Sequence, residues 1–400
     1  RSFCPIVKRF AAATVAFVVV KMLFFSSSSK VVPERDAFIT NAAEPEFVRP
    51  SEHFIVLTSS SRSHEIVAHY ASQRNWSVVV VGIEDEGASD TGNIHYITSQ
   101  EANEFVKVQN LSYRDIGYLY AISHGARFVY DGNGDYRMTG NGLDQFDYEA
   151  HTYGVRFHDV DQDTNNESNR TLATRLFNPY VYFGRPDRWP QGLPENLRTE
   201  HAHRNGSYRM CRRMRTAAVQ VGMIKRGNSD EVAEAEFNAF VGPITINPGV
   251  LAPLSSRNVL FSRAAFFGLH IPSSSNAQTA GILRGYYLQA LLKLTDESVS
   301  FAPPNAMEAT NTSESKVVDL SLDEIVSLVD AWTCPRQTIQ ECMLELSSLF
   351  AQRGLWPPSE VEATTRWIQQ LTKAGYAFPE LRASSPQVYS IRTEGPSSGT

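Results

Sequence analysis

The chain is short of the residues on which several common chemistries depend. Only four of its 400 residues are cysteine, Cys4, Cys211, Cys334 and Cys342, and their spacing makes neither a zinc ribbon nor a C-x-x-C redox pair. Cys334 and Cys342 can pair in an oxidising lumen or remain two buried thiols. No G-x-S-x-G, H-E-x-x-H, P-loop or strand-following G-x-G-x-x-G occurs. Hydrolase, zinc-protease, NTPase and dehydrogenase readings therefore lack their carriers. A basic excess is missing as well: the formal net charge is -6, whereas a general nucleic-acid binder needs a cationic face. His201 and His203 have no further ligand at a zinc spacing. The run from Asp159 to Asp163 has Thr164 where a calcium loop needs Gly, and Arg170 where it needs Glu. We read it as solvated loop.

With 42% hydrophobic and 20% charged residues, the chain can fold around a sizeable core. Its most concentrated apolar run is Phe10 to Phe25, broken only by Lys21. Counted out to Pro5 it reaches about the 20 residues that a bilayer core requires. Arg1, Lys8 and Arg9 precede it, so the positive-inside rule predicts a cytosolic N-terminus and a lumenal or extracellular remainder. A cleaved signal peptide would end in an A-x-A-like site, but Ser26 to Ser29 follow instead. The expectation is a signal anchor within 1–30, then a proline-containing stem over 31–50. Six N-x-[ST] sequons, at Asn75, Asn110, Asn166, Asn169, Asn205 and Asn311, agree with a lumenal side.

From His53 the pattern becomes βα. Phe54 to Thr58 and Ser77 to Ile83 are continuous apolar runs of the kind found in strands covered on both faces. His64 to Gln73 and Gln100 to Val108 are helical stretches around them, with a short strand at His95 to Ile97. The most informative stretch follows: an apolar-striped helix from Tyr113 into Gly125, a strand over Arg127 to Tyr130, and the acidic turn Asp131-Gly132-Asn133-Gly134-Asp135. Alternation at this spacing predicts an α/β fold with a parallel sheet, and such sheets bind ligands at the carboxyl ends of their strands. Oxygen ligands from Asp131, Asn133 and Asp135 would suit a divalent cation, Mn²⁺ or Mg²⁺, that neutralises a diphosphate. Arg62, after the first strand, and Arg114, before the central helix, are candidates for the nucleotide. An Asp, Asn and Gly-rich β-turn also forms without metal. Asn178 to Pro194 combines prolines, aromatics and Arg185, either as the wall of a sugar site with an arginine for phosphate or as a rigid structural loop.

Further strands are expected over 217–226 and 244–251, with a helix from Asp230 to Phe240 between them. Ala280 to Leu294 carries a core helical stripe, and Arg284 within it needs a partner if buried. The C-terminal part reads as three helices, each opened by a capping box: Ser321 with Glu324, Thr338 with Glu341, and Ser359 with Glu362. They form a packing or partner-binding subdomain over 316–381. A tail follows over 382–400.

Several of these stretches together resemble the STELLO-type family of glycosyltransferases: SYRDIGYLYAISHGARFVYD, NPYVYFGRPDRWPQGLP, NVLFSRAAFFGLHIP, AGILRGYYLQALL and AQRGLWPPSEVEATTRWIQQLTKAGYAFPEL. The resemblance covers roughly Phe54 to Leu381. It implies a single-pass, type II Golgi membrane protein with a GT-A-like nucleotide-sugar-binding domain, here 51–300, built on a mixed, mostly parallel sheet flanked by helices. Arg114 matches the family's basic position before the central helix, and Arg284, Gly285 and Tyr286 match a later Arg-Gly-Tyr motif. Two positions depart. Asn133 stands in a carboxylate's place with Asp135 displaced by one residue, and Gly281 stands where the family pattern has Asp. The chain therefore reads as a Golgi-lumen glycosyltransferase that takes a nucleotide-sugar donor and a glycan or protein acceptor. The alternative is a non-catalytic scaffold of the same fold that binds a protein partner through its C-terminal helices. No residue stands out as the catalyst, and no nucleic-acid polymer is expected.

Overall fold

The computed structural model describes residues 52–392 except 59–63, 85–89, 110, 133–135, 161–174, 191–192, 194–205, 226–236, 239, 255, 273–276, 309–320 and 383–390. Residues from Pro50 to Thr400 form one compact unit. The apolar run Phe10 to Phe25 and the stem lie outside the described residues. Among those described, no helix is long and apolar enough to cross a membrane.

The predicted βα alternation is present. Strand β1 (His53–Thr58) pairs in parallel with β2 (Trp76–Ile83), and β2 with β3 (Ile94–Thr98). Helix α1 (His64–Ala71) connects β1 to β2, and α2 (Ser99–Gln109) follows β3. Val78, Val79, Val80 and Val81 are all buried, as the unbroken apolar run requires of a strand covered on both faces. Burying a side chain of that size contributes about 1.5–3 kcal/mol. Helix α3 (Tyr113–Ser123) leads into β4 (Phe128–Asp131), which pairs in parallel with β1 on the side away from β2. Strand β5 (Tyr136–Met138) comes next in the chain.

Beyond β4 the sheet becomes mixed. Strands β6 (His151–Val160), β7 (Gly206–Arg215), β8 (Val219–Lys225), β9 (Ile244–Ile246), β10 (Val259–Ser262), β11 (Val299–Glu308) and β12 (Ile391–Arg392) complete one sheet. Its order is β12-β7-β6-β9-β11-β8-β10-β4-β1-β2-β3, with β5 on β11. Strand β10 runs antiparallel to both β4 and β8. The mixed α/β class with helices flanking a central sheet is as expected.

Several local expectations are corrected. The polar stretch after Met138 contains β6, which pairs with β7 over nearly its whole length; tertiary pairing overrides its low apolar content. Only 244–246 of the stretch 244–251 is strand, since β9 ends where Asn247 begins a turn. The helix over Asp230 to Phe240 falls largely outside the described residues, and Phe237 and Asn238 at its end are not helical. Strand β11 includes Pro303 and Pro304, and its register against β8 shifts on either side of Pro304. Proline cannot donate to a ladder, so such shifts are where it is tolerated.

Helix α4 (Pro179–Tyr182) is a single turn, and α5 (Ala277–Thr295) is the long core helix. The C-terminal helices are α6 (Leu322–Ala331), α7 (Ile339–Gln352) and α8 (Ser359–Lys373). Their buried side chains, among them Ile325, Leu346 and Trp367, belong to the same hydrophobic cluster as Val56, Tyr118 and Tyr286. Of the three expected capping boxes only Thr338 with Glu341 is made. Ser321 makes no cap bond, and Pro358 holds the N-cap position that Ser359 would have needed. Cys334 and Cys342 are joined in a disulfide, resolving the open choice between pairing and free thiols.

Candidate functional site

The site is set by where β1 and β4 end. Strand order reverses between them, with β2 and β3 to one side and the rest of the sheet to the other. In open α/β sheets the crevice beyond the carboxyl ends of such strands is the usual ligand position. Asp131 is the last residue of β4 and lies opposite Val56 of β1. The chain then passes tightly over β1: the Gly132 amide donates to the Val56 carbonyl at 3.1 Å. A Cβ at Gly132 would sit 2.7 Å from Leu57 Cδ2, so a glycine is needed for that close approach.

Asp131 is 0% exposed and is held between two arginines. Its Oδ1 accepts from Arg114 Nη1, and its Oδ2 accepts from Arg284 Nη2 at 2.7 Å. Arg114 is the second residue of α3, a helix started by a capping box the sequence reading did not single out. The Ser112 hydroxyl accepts from the Asp115 amide, and Asp115 Oδ2 accepts from the Ser112 amide at 2.8 Å. Ser112 and Asp115 carry the capping spacing just before an apolar run, so the signal was there. Gly117 lets α3 lie on the sheet; a Cβ there would be 2.5 Å from Val56 Cγ1.

Arg284 comes from α5. Its Nη1 donates to the Leu269 carbonyl at 3.1 Å, and its guanidinium lies 5.3 Å over the Phe261 ring. Arg284 is buried, and the partner that burial requires is Asp131. Two glycines bring α5 close: a Cβ at Gly285 would be 2.7 Å from the Leu254 carbonyl oxygen, and one at Gly281 would be 2.8 Å from Ser256 Oγ and 3.1 Å from its amide nitrogen. At Gly281, where the family resemblance leads one to expect Asp, the packing leaves no room for a larger side chain unless Ser256 moves.

Electrostatics follow from burial. For Arg114, burial lowers the pKa, but Asp131 and Tyr118 outweigh it and the guanidinium is held above its ordinary value. The Tyr118 phenol is pushed well up by burial and by the Asp131 carboxylate, so it stays neutral. A neutral network supports β4: the Tyr130 hydroxyl donates to Asn258 Oδ1 at 3.0 Å, and Asn258 Nδ2 donates to Asn305 Oδ1 at 2.7 Å.

The structure thus brings Arg114, Asp131 and Arg284 together. Arg62, Asn133 and Asp135 lie outside the described residues, as do Asn110, Asn166, Asn169, Asn205 and Asn311. Asn75 is exposed in the turn into β2, at φ 63°. Arg185 is placed in a different set of contacts. Its guanidinium forks onto Asp187 at 2.9 and 2.7 Å and lies 5.8 Å over Phe237. Around it Asn178, Tyr180, Phe183 and Trp189 are buried, so this part of the aromatic stretch packs as core.

The donor set bears directly on a metal. Both Asp131 oxygens are engaged by guanidiniums, and among the described residues no group of three or more His, Cys, Asp or Glu could hold an ion. Asn133 and Asp135, the other two expected ligands, lie outside the described residues, so the described part of the site holds one expected ligand, Asp131, already paired with two arginines.

Fold and cluster together define an α/β protein with a buried, arginine-bound carboxylate at its topological switch point. Two curated proteins of Arabidopsis thaliana are similar to the chain. It is 26% identical over 379 residues to one named "Probable glycosyltransferase STELLO1", covering 89% of this chain and 48% of that protein. It is 25% identical over 355 residues to "Probable glycosyltransferase STELLO2", covering 83% of this chain and 46% of that protein. These matches bear out the STELLO-type resemblance. The chain spans about half the length of the curated relatives it matches. No protein-family model matches it.

Proposed function

We propose that the chain is a glycosyltransferase of GT-A-like fold that binds the diphosphate of a nucleotide-sugar donor beyond the carboxyl ends of β1 and β4. The carrying observation is the Arg114–Asp131–Arg284 cluster: one carboxylate fixes two guanidiniums at the switch point. Arginine presents forked donors suited to phosphate oxygens. Arg114 is 16% exposed while Arg284 is 3% exposed, so Arg114 meets the anion and Arg284 anchors the carboxylate that aims it. Transfer breaks the bond between the anomeric carbon and the phosphate oxygen and forms one to an acceptor hydroxyl, whose proton must leave. The charge then grows on the departing diphosphate, which is where fixed cations help most. Both Asp131 oxygens are already taken by guanidiniums, so the charge stabilisation is assigned here to the arginines and no step is routed through a metal.

A Golgi-lumen placement, type II in the membrane, is part of the same proposal. The Cys334–Cys342 disulfide supports it, since such bonds persist in oxidising compartments, as does the apolar run Phe10 to Phe25. The test is thermal melting of the full chain with UDP and GDP, each with and without Mn²⁺. A bound nucleotide at 100 times its dissociation constant adds about 2.7 kcal/mol of stability, and Arg114→Gln should abolish the shift. No shift with either nucleotide at millimolar concentration overturns the reading. The scaffold alternative draws on the closed packing at Gly281; nucleotide binding without any sugar transfer or hydrolysis would favour it.

A further inference from the structure

Three ionisable side chains that the proposed chemistry does not use are packed together from distant parts of the chain. Asp115 and Glu360 are 0% and 1% exposed. His270 Nε2 lies 2.6 Å from Glu360 Oε1, and its Nδ1 lies 3.1 Å from Asp115 Oδ2. The second is a charge contact rather than an aligned hydrogen bond, and Asp115 Oδ1 has no hydrogen-bond partner. Trp367 of α8 stacks on the imidazole at 5.9 Å and donates its indole N–H to the Phe267 carbonyl at 2.9 Å. Helix α8 therefore grips the 267–270 turn twice, through Glu360 and through Trp367.

That turn touches the candidate site from two directions. Leu269 accepts from Arg284. His270 faces Asp115, the neighbour of Arg114 in the first turn of α3. Between helices and site there is a cavity of only about 10 Å³, lined by His270, Arg284, Trp356 and Trp367. Charges alternate along the whole path: Glu360, His270 and Asp115, then Arg114, Asp131 and Arg284. Burial alone would push the imidazole down, but the two carboxylates outweigh it and hold its pKa at about 10, so it is a cation throughout the neutral range.

We infer that Glu360 and His270 are positioning residues for the nucleotide site, fixing the first turn of α3 through Asp115 and thereby the placement of Arg114 against Asp131. The C-terminal helices then belong to the site itself. The inference rests on the proposed reading for the identity of the ligand. Its physical basis is that a buried carboxylate needs a held cation. Without Glu360 the imidazolium has one anchor fewer, and Asp115 loses a fixed partner.

The full chain carrying Glu360→Gln is compared with wild type and with Ile325→Val, which trims the buried core of α6. Glu360→Gln should speed amide hydrogen exchange over 112–118 and weaken UDP or GDP affinity about 2- to 30-fold, the range of mutations along a coupled path. Ile325→Val should do neither. Should Glu360→Gln fail to fold, Glu360→Asp keeps the charge and should show both effects in milder form. Unchanged exchange over 112–118 overturns the inference whether or not a nucleotide binds. So does faster exchange with unchanged affinity, and so does an equal effect from Ile325→Val, which would mark general loosening. Failure of wild type to bind either nucleotide sinks the proposed function instead, while the exchange result still judges the link.

Discussion

Replacing Asp131 should unfold this protein sooner, whatever it does to activity. Asp131→Ala leaves two guanidiniums without their carboxylate in a cluster where Asp131 is 0%, Arg284 3% and Arg114 16% exposed. Solvent screens little at such burial, so the discount due to exposed pairs does not apply. Breaking a buried pair by removing one partner costs about 3–5 kcal/mol. At about 2–4 °C per kcal/mol for domains of ordinary size, the thermal midpoint falls by about 10 °C. Urea denaturation followed by tryptophan fluorescence measures the loss, and Asp131→Asn should share most of it because the charge is removed in both. The combined change Asp131→Leu, Arg114→Met and Arg284→Met should recover stability, since apolar replacement of a whole buried ion cluster is neutral or better, while nucleotide binding stays lost. A cost below about 1 kcal/mol for Asp131→Ala, the scale of an exposed pair, would refute the reasoning. It would mean that the carboxylate is not closed on its arginines and is free for a ligand. Loss of activity in Asp131→Ala alone therefore cannot be assigned to chemistry.

Burial pushes the Glu297 carboxyl up to about 7 from an ordinary 4.5, with Arg215 and Arg382 partly opposing. Stability from a carboxyl raised in this way is complete below 4.5 and lost as pH rises through about 7. Glu297→Gln should flatten the fall of the thermal midpoint between about pH 5 and pH 8 and be the more stable protein at pH 8; a pH profile unchanged from wild type counts against this. Gly222→Ala drives a Cβ into Asn305 Oδ1 and to 2.5 Å from Asn258 Nδ2. It should cost about 1–3 kcal/mol by urea denaturation; a loss under about 0.5 kcal/mol would show that the asparagine network yields freely.

What could be read ahead was whatever repeats locally. The valine run of β2, the helix stripe of α3 and the apolar segment of α5 announce themselves by period, and their boundaries fall within a few residues of expectation. Strands β6 and β7 do not, because polar strands that pair with one another, His151 with Arg215 through Val160 with Gly206, are specified by the partner rather than by their own pattern. The same division holds at the site. Asp131 was legible as the end of an apolar strand. That Arg284, 153 residues away, would be its partner was not, nor that His270 would bridge Asp115 to Glu360. Single histidines and glutamates carry no periodic signal.

The two clusters explain each other's charge. One carboxylate against two guanidiniums leaves a positive surplus at Arg114, Asp131 and Arg284. One imidazolium against two carboxylates leaves a negative surplus at Asp115, His270 and Glu360. Either cluster alone would be an expensive thing to bury; side by side, joined at Arg114 and Asp115, they are neutral. The separation has a direction. The negative end lies against α8, and the positive end lies at the carboxyl edge of β4, where Arg114 keeps 16% of its side chain exposed. Stability alone would be served as well by apolar side chains in all six places. A neutral but polarised arrangement, with its cationic end at the switch point, is what the proposed anionic ligand would require, and folding alone gives no reason for it.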